Sequence, residues 1–168
     1  MKSIKAKSLL VVLVLFIISG SLSAQDLTVS PQLFWRHFGL GTLTPDSHVD
    51  GFGFAVNVSK SLGGARFNNA DLAWMAAVGL SFGTDQQSVN FYRLGISLLP
   101  SRFKRSGVYG SAGFEAMGQD QKYAVGVFTC VNFLLYQGVT LSVEPTAAIR
   151  GKDLVMLIKF GMGYTFNF

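Results

Sequence analysis

The segment 154–168, LVMLIKFGMGYTFNF, alternates in a way that decides the fold. One side of an extended chain carries eight apolar residues: Leu154, Met156, Ile158, Phe160, Met162, Tyr164, Phe166 and Phe168. The other side turns small and polar from Lys159 onward. A repeat of two residues is the period of a β-strand and not of a helix. Eight successive apolar side chains on one face are rare in a soluble sheet, but a strand whose outer face touches lipid requires them.

The rest of the chain also supplies its hydrophobicity by alternation. The 168 residues include 19 glycines and 15 phenylalanines, only 14% are charged, and the mean hydropathy is +0.39. Beyond residue 24 no apolar run is long enough for a spanning helix, which needs about 20 residues. This combination is unusual in a soluble domain of this size and typical of a transmembrane β-barrel.

Eight segments have the strand pattern, with apolar outward faces that carry no charge. Their approximate bounds are 27–36, 51–59, 72–82, 92–98, 108–116, 123–135, 139–149 and 154–168. Their inward faces hold Gly, Ala, Ser, Thr and Asn with a few charges. We interpret 38–50 as the longest outer loop and 61–69, SLGGARFNN, as a turn. Pro31 is an irregularity in the first strand, because proline donates no ladder hydrogen bond. The pattern predicts an all-β fold, an eight-stranded antiparallel up-and-down barrel over residues 25–168.

The connection between the last two strands fixes their register. Only Gly151 and Lys152 separate Arg150 from Asp153, and a Gly-first pair suits a type II′ hairpin. Counting back from that turn places the residues at 144 and 159 directly opposite each other on the inward face. One is a glutamate and the other a lysine. The register therefore predicts an ion pair inside the barrel.

Two further connections give the same kind of information. A three-residue loop with a left-handed Gly138 pairs Leu135 with Val139. Arg93 and Glu115 come out opposite each other, also inward. An eight-stranded barrel has an interior just wide enough for side chains to fill, and buried charges persist when they are paired. We therefore predict a bonded polar network in the lumen, made of Arg36, Arg93, Glu115, Glu144 and Lys159.

Residues 1–24 have the pattern of an export signal. Lys2, Lys5 and Lys7 precede the apolar run 9–18, and a small-residue exit follows, so we expect cleavage after Ser23 or Ala24. Three of the 14 basic residues lie in this acid-free segment, which leaves 11 basic and 9 acidic residues and lowers the formal charge from +5 to +2. That balance gives no reason to expect nucleic acid as a partner. A single cysteine, Cys130, excludes an internal disulfide.

With the export signal and the strand pattern, the final segment resembles that of the small eight-stranded bacterial outer-membrane β-barrels, such as OmpX, the membrane domain of OmpA, and OmpW. In that family the last strand alternates aromatic residues and commonly ends in Phe. The resemblance implies an assembly signal at Tyr164, Phe166 and Phe168. It also implies a location in the bacterial outer membrane, with both chain termini in the periplasm. The implied partners are outer-membrane lipid, the assembly machinery and periplasmic chaperones, and we expect a monomer.

The sequence predicts a mainly structural or surface role, with a side-chain-filled polar interior and no cofactor or metal. A narrow channel for small solutes is one alternative. A lipid-modifying enzyme is another, because some small outer-membrane barrels use Ser and His at the outer rim. Residues of that kind flank the first outer loop: His37, Asp46, Ser47, His48 and Asp50. No motif of those enzymes is present, so we predict no enzymatic activity. A soluble lipocalin-type barrel would need the opposite arrangement, apolar inside and polar outside. An adhesin is a third possibility, but the outer loops are short and leave little surface for recognition of a partner.

Overall fold

The structure is a computed structural model that describes residues 27–38, 50–67, 70–83, 88–100, 107–119, 122–135 and 138–167. The predicted export signal and Phe168 lie outside these residues. Within the described ranges no helix is long and apolar enough to cross a membrane.

The described residues form antiparallel strands that follow one another around a closed sheet. The strands are β1 (Leu27–Phe38), β2 (Gly51–Phe67), β3 (Ala70–Gly83), β4 (Ser88–Pro100), β5 (Gly107–Gln119), β6 (Lys122–Leu134), β7 (Val139–Arg150), β8 (Asp153–Tyr164) and β9 (Phe166–Asn167). The two-residue β9 continues β8 after a break at Thr165. Since β1 pairs with both β2 and β8, the sheet has no open edge along its length. The predicted eight-stranded up-and-down barrel is confirmed.

The strands are staggered around the barrel. Following register partners from Thr28 through β2 to β8 returns to β1 at Phe38, ten residues further along. A stagger of this kind tilts the strands, typically by about 35–45° from the barrel axis. Side chains that meet inside the lumen therefore include many that are not register partners. The register between neighbouring strands alone does not reveal all of their contacts.

The barrel has two distinct ends. The terminal end carries the start of β1 and the end of β9, and the loop end carries the connections that follow β1, β3, β5 and β7. The longest connection, 39–50, lies at the loop end. Outer-membrane barrels have short periplasmic turns and longer extracellular loops, so the loop end corresponds to the outer surface.

The outer wall of the barrel is apolar on every side. Among the described residues, none of those predicted to face outward is buried, and several large side chains are highly exposed, such as Phe52 at 71%, Phe114 at 69% and Tyr123 at 70%. Exposed large apolar residues occur on each of the strands β1 to β8. This is the reverse of a soluble barrel, and it matches a wall that faces lipid.

Both predicted hairpin registers are confirmed. In the β7–β8 ladder Arg150 pairs with Asp153 and Glu144 pairs with Lys159. Gly151 has a φ of 66°, as the first turn residue of a type II′ hairpin requires.

In the β6–β7 connection, the N–H of Leu135 donates to the carbonyl of Val139 at 2.7 Å, and Gly138 is left-handed with a φ of 86°. Arg93 pairs with Glu115 in the β4–β5 ladder, also as predicted.

The predicted turn at 61–69 is wrong. β2 continues to Phe67, and only residues 68–69 separate it from β3. The β2–β3 register shifts between Ser61 and Arg66, where Gly63 adopts a φ of 53°. A glycine in this conformation suits a β-bulge, so the glycine pair that suggests a turn instead lets the hairpin continue past an irregularity.

Pro31 interrupts the seam between the first and last strands. At this level of the barrel Thr165 breaks the final strand, and its N–H donates to the carbonyl of Gly138 at 2.8 Å. The Thr165 hydroxyl lies 3.0 Å from that of Ser30 and 2.9 Å from that of Thr140. Buried hydroxyl groups thus join β1, β7 and the final strand where proline has no N–H to contribute.

Candidate functional site

Four charged residues predicted for the lumen meet in one charge cluster: Arg93, Glu115, Glu144 and Lys159. Nζ of Lys159 donates to both carboxylate oxygens of Glu115 at 2.7 Å and to Oε1 of Glu144 at 2.9 Å. Nε of Arg93 donates to Oε2 of Glu115 at 2.5 Å, and Nη2 of Arg93 donates to Oε1 of Glu144. Each cation therefore contacts both carboxylates, and the four charges balance.

The charge cluster is fully enclosed by the barrel. Its four residues are between 1% and 5% exposed. The guanidinium carbon of Arg93 lies 4.3 Å from the ring centroid of Phe91 and 5.1 Å from that of Phe128, and Nζ of Lys159 lies 4.5 Å from the Phe91 ring. Cations at such distances are attracted to the faces of aromatic rings. The cations of the cluster are thus held by carboxylates and by phenylalanine rings.

The fifth predicted residue, Arg36, lies on the same inward face. It is 2% exposed and stands opposite Lys159 in the β1–β8 ladder. On its other side it pairs with Gly51, where a Cβ atom would lie 2.8 Å from Nε of Arg36. The missing side chain at Gly51 therefore makes room for the guanidinium.

An apolar cluster of buried side chains lies in the lumen beside the charge cluster and on its loop side. Its members are Phe34, Ala55, Val89, Phe91, Met117, Ala124, Ala148 and Leu157, all between 1% and 6% exposed. Phe91 precedes Arg93 on β4, which runs away from the loop end, and Leu157 precedes Lys159 on β8 in the same way. Met117 follows Glu115 on β5, which runs toward the loop end. These three side chains therefore lie on the loop side of the charged residue of their own strand.

A polar chamber lies on the other side of the charge cluster. Residues lining it include Ser30, Asn57, Ser97, Tyr109, Asn132 and Cys130, together with Arg93 and Glu144. The cavity measures about 30 Å³. A buried water needs roughly 10–15 Å³ of such space and two to four polar partners, so the chamber has room for about two water molecules. Met75 and Leu99 also line the chamber, and Met75 belongs to a second apolar cluster with Ala77, Phe128 and Cys130, so the lumen on this side holds both polar and apolar side chains.

The expected composition of the inward face is wrong in one respect. Besides small and polar residues, it carries large apolar ones, above all Phe34, Phe91 and Phe128. Phe34 escapes the sequence pattern because both of its neighbours in β1 are also large and apolar. Gly53 and Gly79 are the sequence feature that indicates these inward rings, because they are the register partners of Phe34 and Phe91. A strand glycine often marks the close approach of another group.

Two of the residues weighed for catalysis, His37 and Asp50, lie at the loop end. Nδ1 of His37 contacts Oδ1 of Asp50 at 2.6 Å, and both side chains are nearly half exposed. His37 also stacks on Trp35, with ring centroids 5.7 Å apart. Asp46, Ser47 and His48 lie outside the described residues. Within the described part of the chain, no group of three or more His, Cys, Asp or Glu residues is arranged to hold a metal ion.

Two of the three residues predicted to form the assembly signal lie on the outer wall near the terminal end. The rings of Tyr164 and Phe166 have centroids 4.7 Å apart and are 42% and 45% exposed. Phe166 pairs with Val29, so this part of the signal lies at the seam that closes the barrel.

A closed eight-stranded barrel with an apolar outer wall and charged residues buried inside is an integral β-barrel protein of the bacterial outer membrane. Solved structures with this fold agree. Ail, the attachment invasion locus protein of Yersinia pestis, in complex with the heparin analogue sucrose octasulfate, is 13% identical with a TM-score of 0.50, over 84% of this chain and 98% of Ail. Neisserial surface protein A is 15% identical with a TM-score of 0.50, over 84% of this chain and 97% of that protein. No protein-family model and no curated protein matched the sequence.

Proposed function

We propose that this protein is a closed outer-membrane barrel with a mainly structural or surface role. The observation that carries the proposal is the filling of the lumen: the charge cluster and the apolar cluster together occupy its cross-section with side chains that are almost fully buried. A barrel of eight strands has no room for both such a filling and an aqueous path. The protein exposes apolar surface to lipid and conducts no solute.

Conductance measurements test this proposal. Purified protein reconstituted into planar bilayers should give no stable channel currents, and liposomes that contain it should take up no sugar. A parallel preparation of a known large porin confirms that the assay detects open barrels. Stable, large currents from the wild-type protein would contradict the proposal and favour the second candidate function.

That second candidate is a narrow path for small solutes. The polar chamber supports it, because a cavity of about 30 Å³ already adjoins Arg93 and Glu144. In such a path the chamber would be the entrance from the terminal end, and the charged residues would select the solute. Small cation-selective or anion-selective currents, without sugar uptake, are its expected signature.

We further propose that the protein is not an enzyme. Among the described residues, the contact between His37 and Asp50 favours the lipid-modifying alternative, since a histidine held by an acid supplies two of the three members of a hydrolase triad. Analysis of outer-membrane lipids from cells with and without the protein should show identical acyl composition. A changed composition that is abolished by Ser47→Ala would establish the enzyme.

The partners we infer are those of the fold: outer-membrane lipid, periplasmic chaperones and the assembly machinery that reads the terminal strand, with the protein itself a monomer. The neighbouring rings of Tyr164 and Phe166 on the outer wall, with centroids 4.7 Å apart, support an assembly signal in β8 and β9. No nucleic-acid partner is proposed.

A further inference from the structure

The charge cluster lies between the polar chamber on its terminal side and the side chains of Phe91, Leu157 and Met117 on its loop side. Arg93 and Glu144 line the polar chamber on the terminal side. Charged and polar groups that border a water-sized cavity favour water and ions there. The charges therefore attract water into this part of the barrel and do not form a dry barrier.

The apolar cluster has the opposite character. Phe91 and Leu157 are 1% and 2% exposed, and the rings of Phe34 and Phe91 pack edge to face with centroids 5.4 Å apart. Narrow apolar constrictions block ions because water leaves them. Phe91, Leu157 and Met117 cover the loop side of the charge cluster, and the Phe34 ring packs against Phe91, so a path through the lumen must pass these side chains.

Phe34 and Phe91 have the two largest side chains of this cluster. A Cβ atom at Gly53 would lie 2.3 Å from Cζ of Phe34, and one at Gly79 would lie 2.1 Å from Cζ of Phe91. Each ring thus lies directly over a glycine of the neighbouring strand. Removing the rings would leave a gap beside two residues that have no side chain to fill it.

We propose that the apolar cluster around Phe34 and Phe91 is the seal of the barrel, and that the charge cluster is the wall of a hydrated chamber beneath it. The inference rests on the proposed closed barrel and names the part of the molecule that closes it. It assigns the ion pairs to stability and the phenylalanines to the barrier.

Potassium leak from phosphatidylcholine liposomes that contain the purified protein tests the seal. We expect Phe34→Ala with Phe91→Ala to raise the leak about tenfold or more over the wild-type protein, since a factor of ten needs only ~1.4 kcal/mol of barrier. The matched control is Phe54→Ala with Phe114→Ala, which removes two rings from the lipid-facing wall and should leave the leak unchanged.

A charge-free variant separates the two roles. Arg93→Met, Glu115→Gln, Glu144→Gln and Lys159→Met together remove every charge of the cluster and keep most of its volume. This variant should leak no more than the wild type. A leak in the charge-free variant, or none in the folded double-alanine variant, overturns the proposal. A leak in the wild type itself would instead contradict the closed barrel of the proposed function.

The single cysteine gives a second readout if the double-alanine variant does not fold. Cys130 lines the chamber and is 7% exposed. With a small charged thiol reagent added only on the loop side of liposomes that hold the protein in one orientation, we expect Phe34→Leu with Phe91→Leu to increase several-fold the rate at which Cys130 is labelled, because two smaller side chains loosen the constriction. An unchanged labelling rate in a folded protein would overturn the proposal.

Discussion

Replacing Lys159 with methionine removes one of the two cations that balance two buried carboxylates. Lys159 Nζ makes three contacts of 2.7 to 2.9 Å with Glu115 and Glu144, and all three residues are at most 5% exposed. The variant leaves two carboxylates to share Arg93. Breaking a buried ion pair in this way costs about 3–5 kcal/mol. Since whole domains are stable by only about 5–15 kcal/mol, the loss should be readily measured.

Removing one charge of each sign should restore most of this loss. In Glu144→Leu with Lys159→Met, the direct Arg93–Glu115 pair remains, with Nε and Oε2 at 2.5 Å, and the charges again balance. Replacing a buried pair by apolar groups of similar volume is often neutral or stabilising. Lys159→Met with Arg93→Met removes two cations instead, and should be less stable than either single variant because two carboxylates are left together.

Urea unfolding in lipid vesicles, followed by tryptophan fluorescence and by mobility on unheated gels, measures these changes. Lys152→Met is the control, because this lysine is exposed in the β7–β8 turn and its loss should change the stability by less than ~0.5 kcal/mol. The double-mutant cycle for residues 144 and 159 should give a coupling near the ~3 kcal/mol upper end seen for contacting residues. Zero coupling would refute the ion-pair geometry described above.

Three further predictions concern the wall and the seam. Deleting Phe168 should reduce insertion into the outer membrane but leave the stability of the protein refolded in detergent unchanged. Normal insertion of this variant would show that the terminal aromatic residue is dispensable. Gly113→Ala should destabilise the barrel by about 1–3 kcal/mol, because its Cβ would lie 2.2 Å from a backbone carbonyl of β4. Gly110→Ala, where the nearest atom is 3.7 Å away, should be tolerated, and equal losses in urea unfolding would contradict this reasoning. Thr165→Val should cost about 1–3 kcal/mol by stranding buried hydroxyls at the seam, whereas Thr129→Val on the exposed wall should cost little.

The alternation of the sequence predicts which face of each strand meets lipid, because apolar residues recur at every second position wherever one face of a strand must be apolar. Short turns carry the register: the Gly151-Lys152 hairpin alone places Glu144 opposite Lys159. The register of single hairpins does not predict the contacts of Lys159 with Glu115. They join β8 to β5 across the lumen, and depend on the stagger of the whole barrel and not on any one hairpin.

The sequence pattern also does not predict the large apolar residues that face the lumen. Strand β1 is large and apolar on both faces around Phe34, so alternation gives no indication that one of these residues faces inward. The bulge at Gly63 is ambiguous for a related reason, because a glycine pair serves equally in a turn or in a continuing hairpin. A glycine on the neighbouring strand, such as Gly79 opposite Phe91, is the sequence feature that indicates an inward aromatic residue.

Fractionation of cells that produce the protein tests the central claim most directly. An apolar wall on all eight strands requires lipid, so the protein should be recovered in the outer-membrane fraction, resist extraction at alkaline pH, and migrate differently on gels when it is not heated. Recovery of the folded protein as a soluble periplasmic species, with no change in mobility on heating, would contradict the membrane barrel and everything inferred from its lumen.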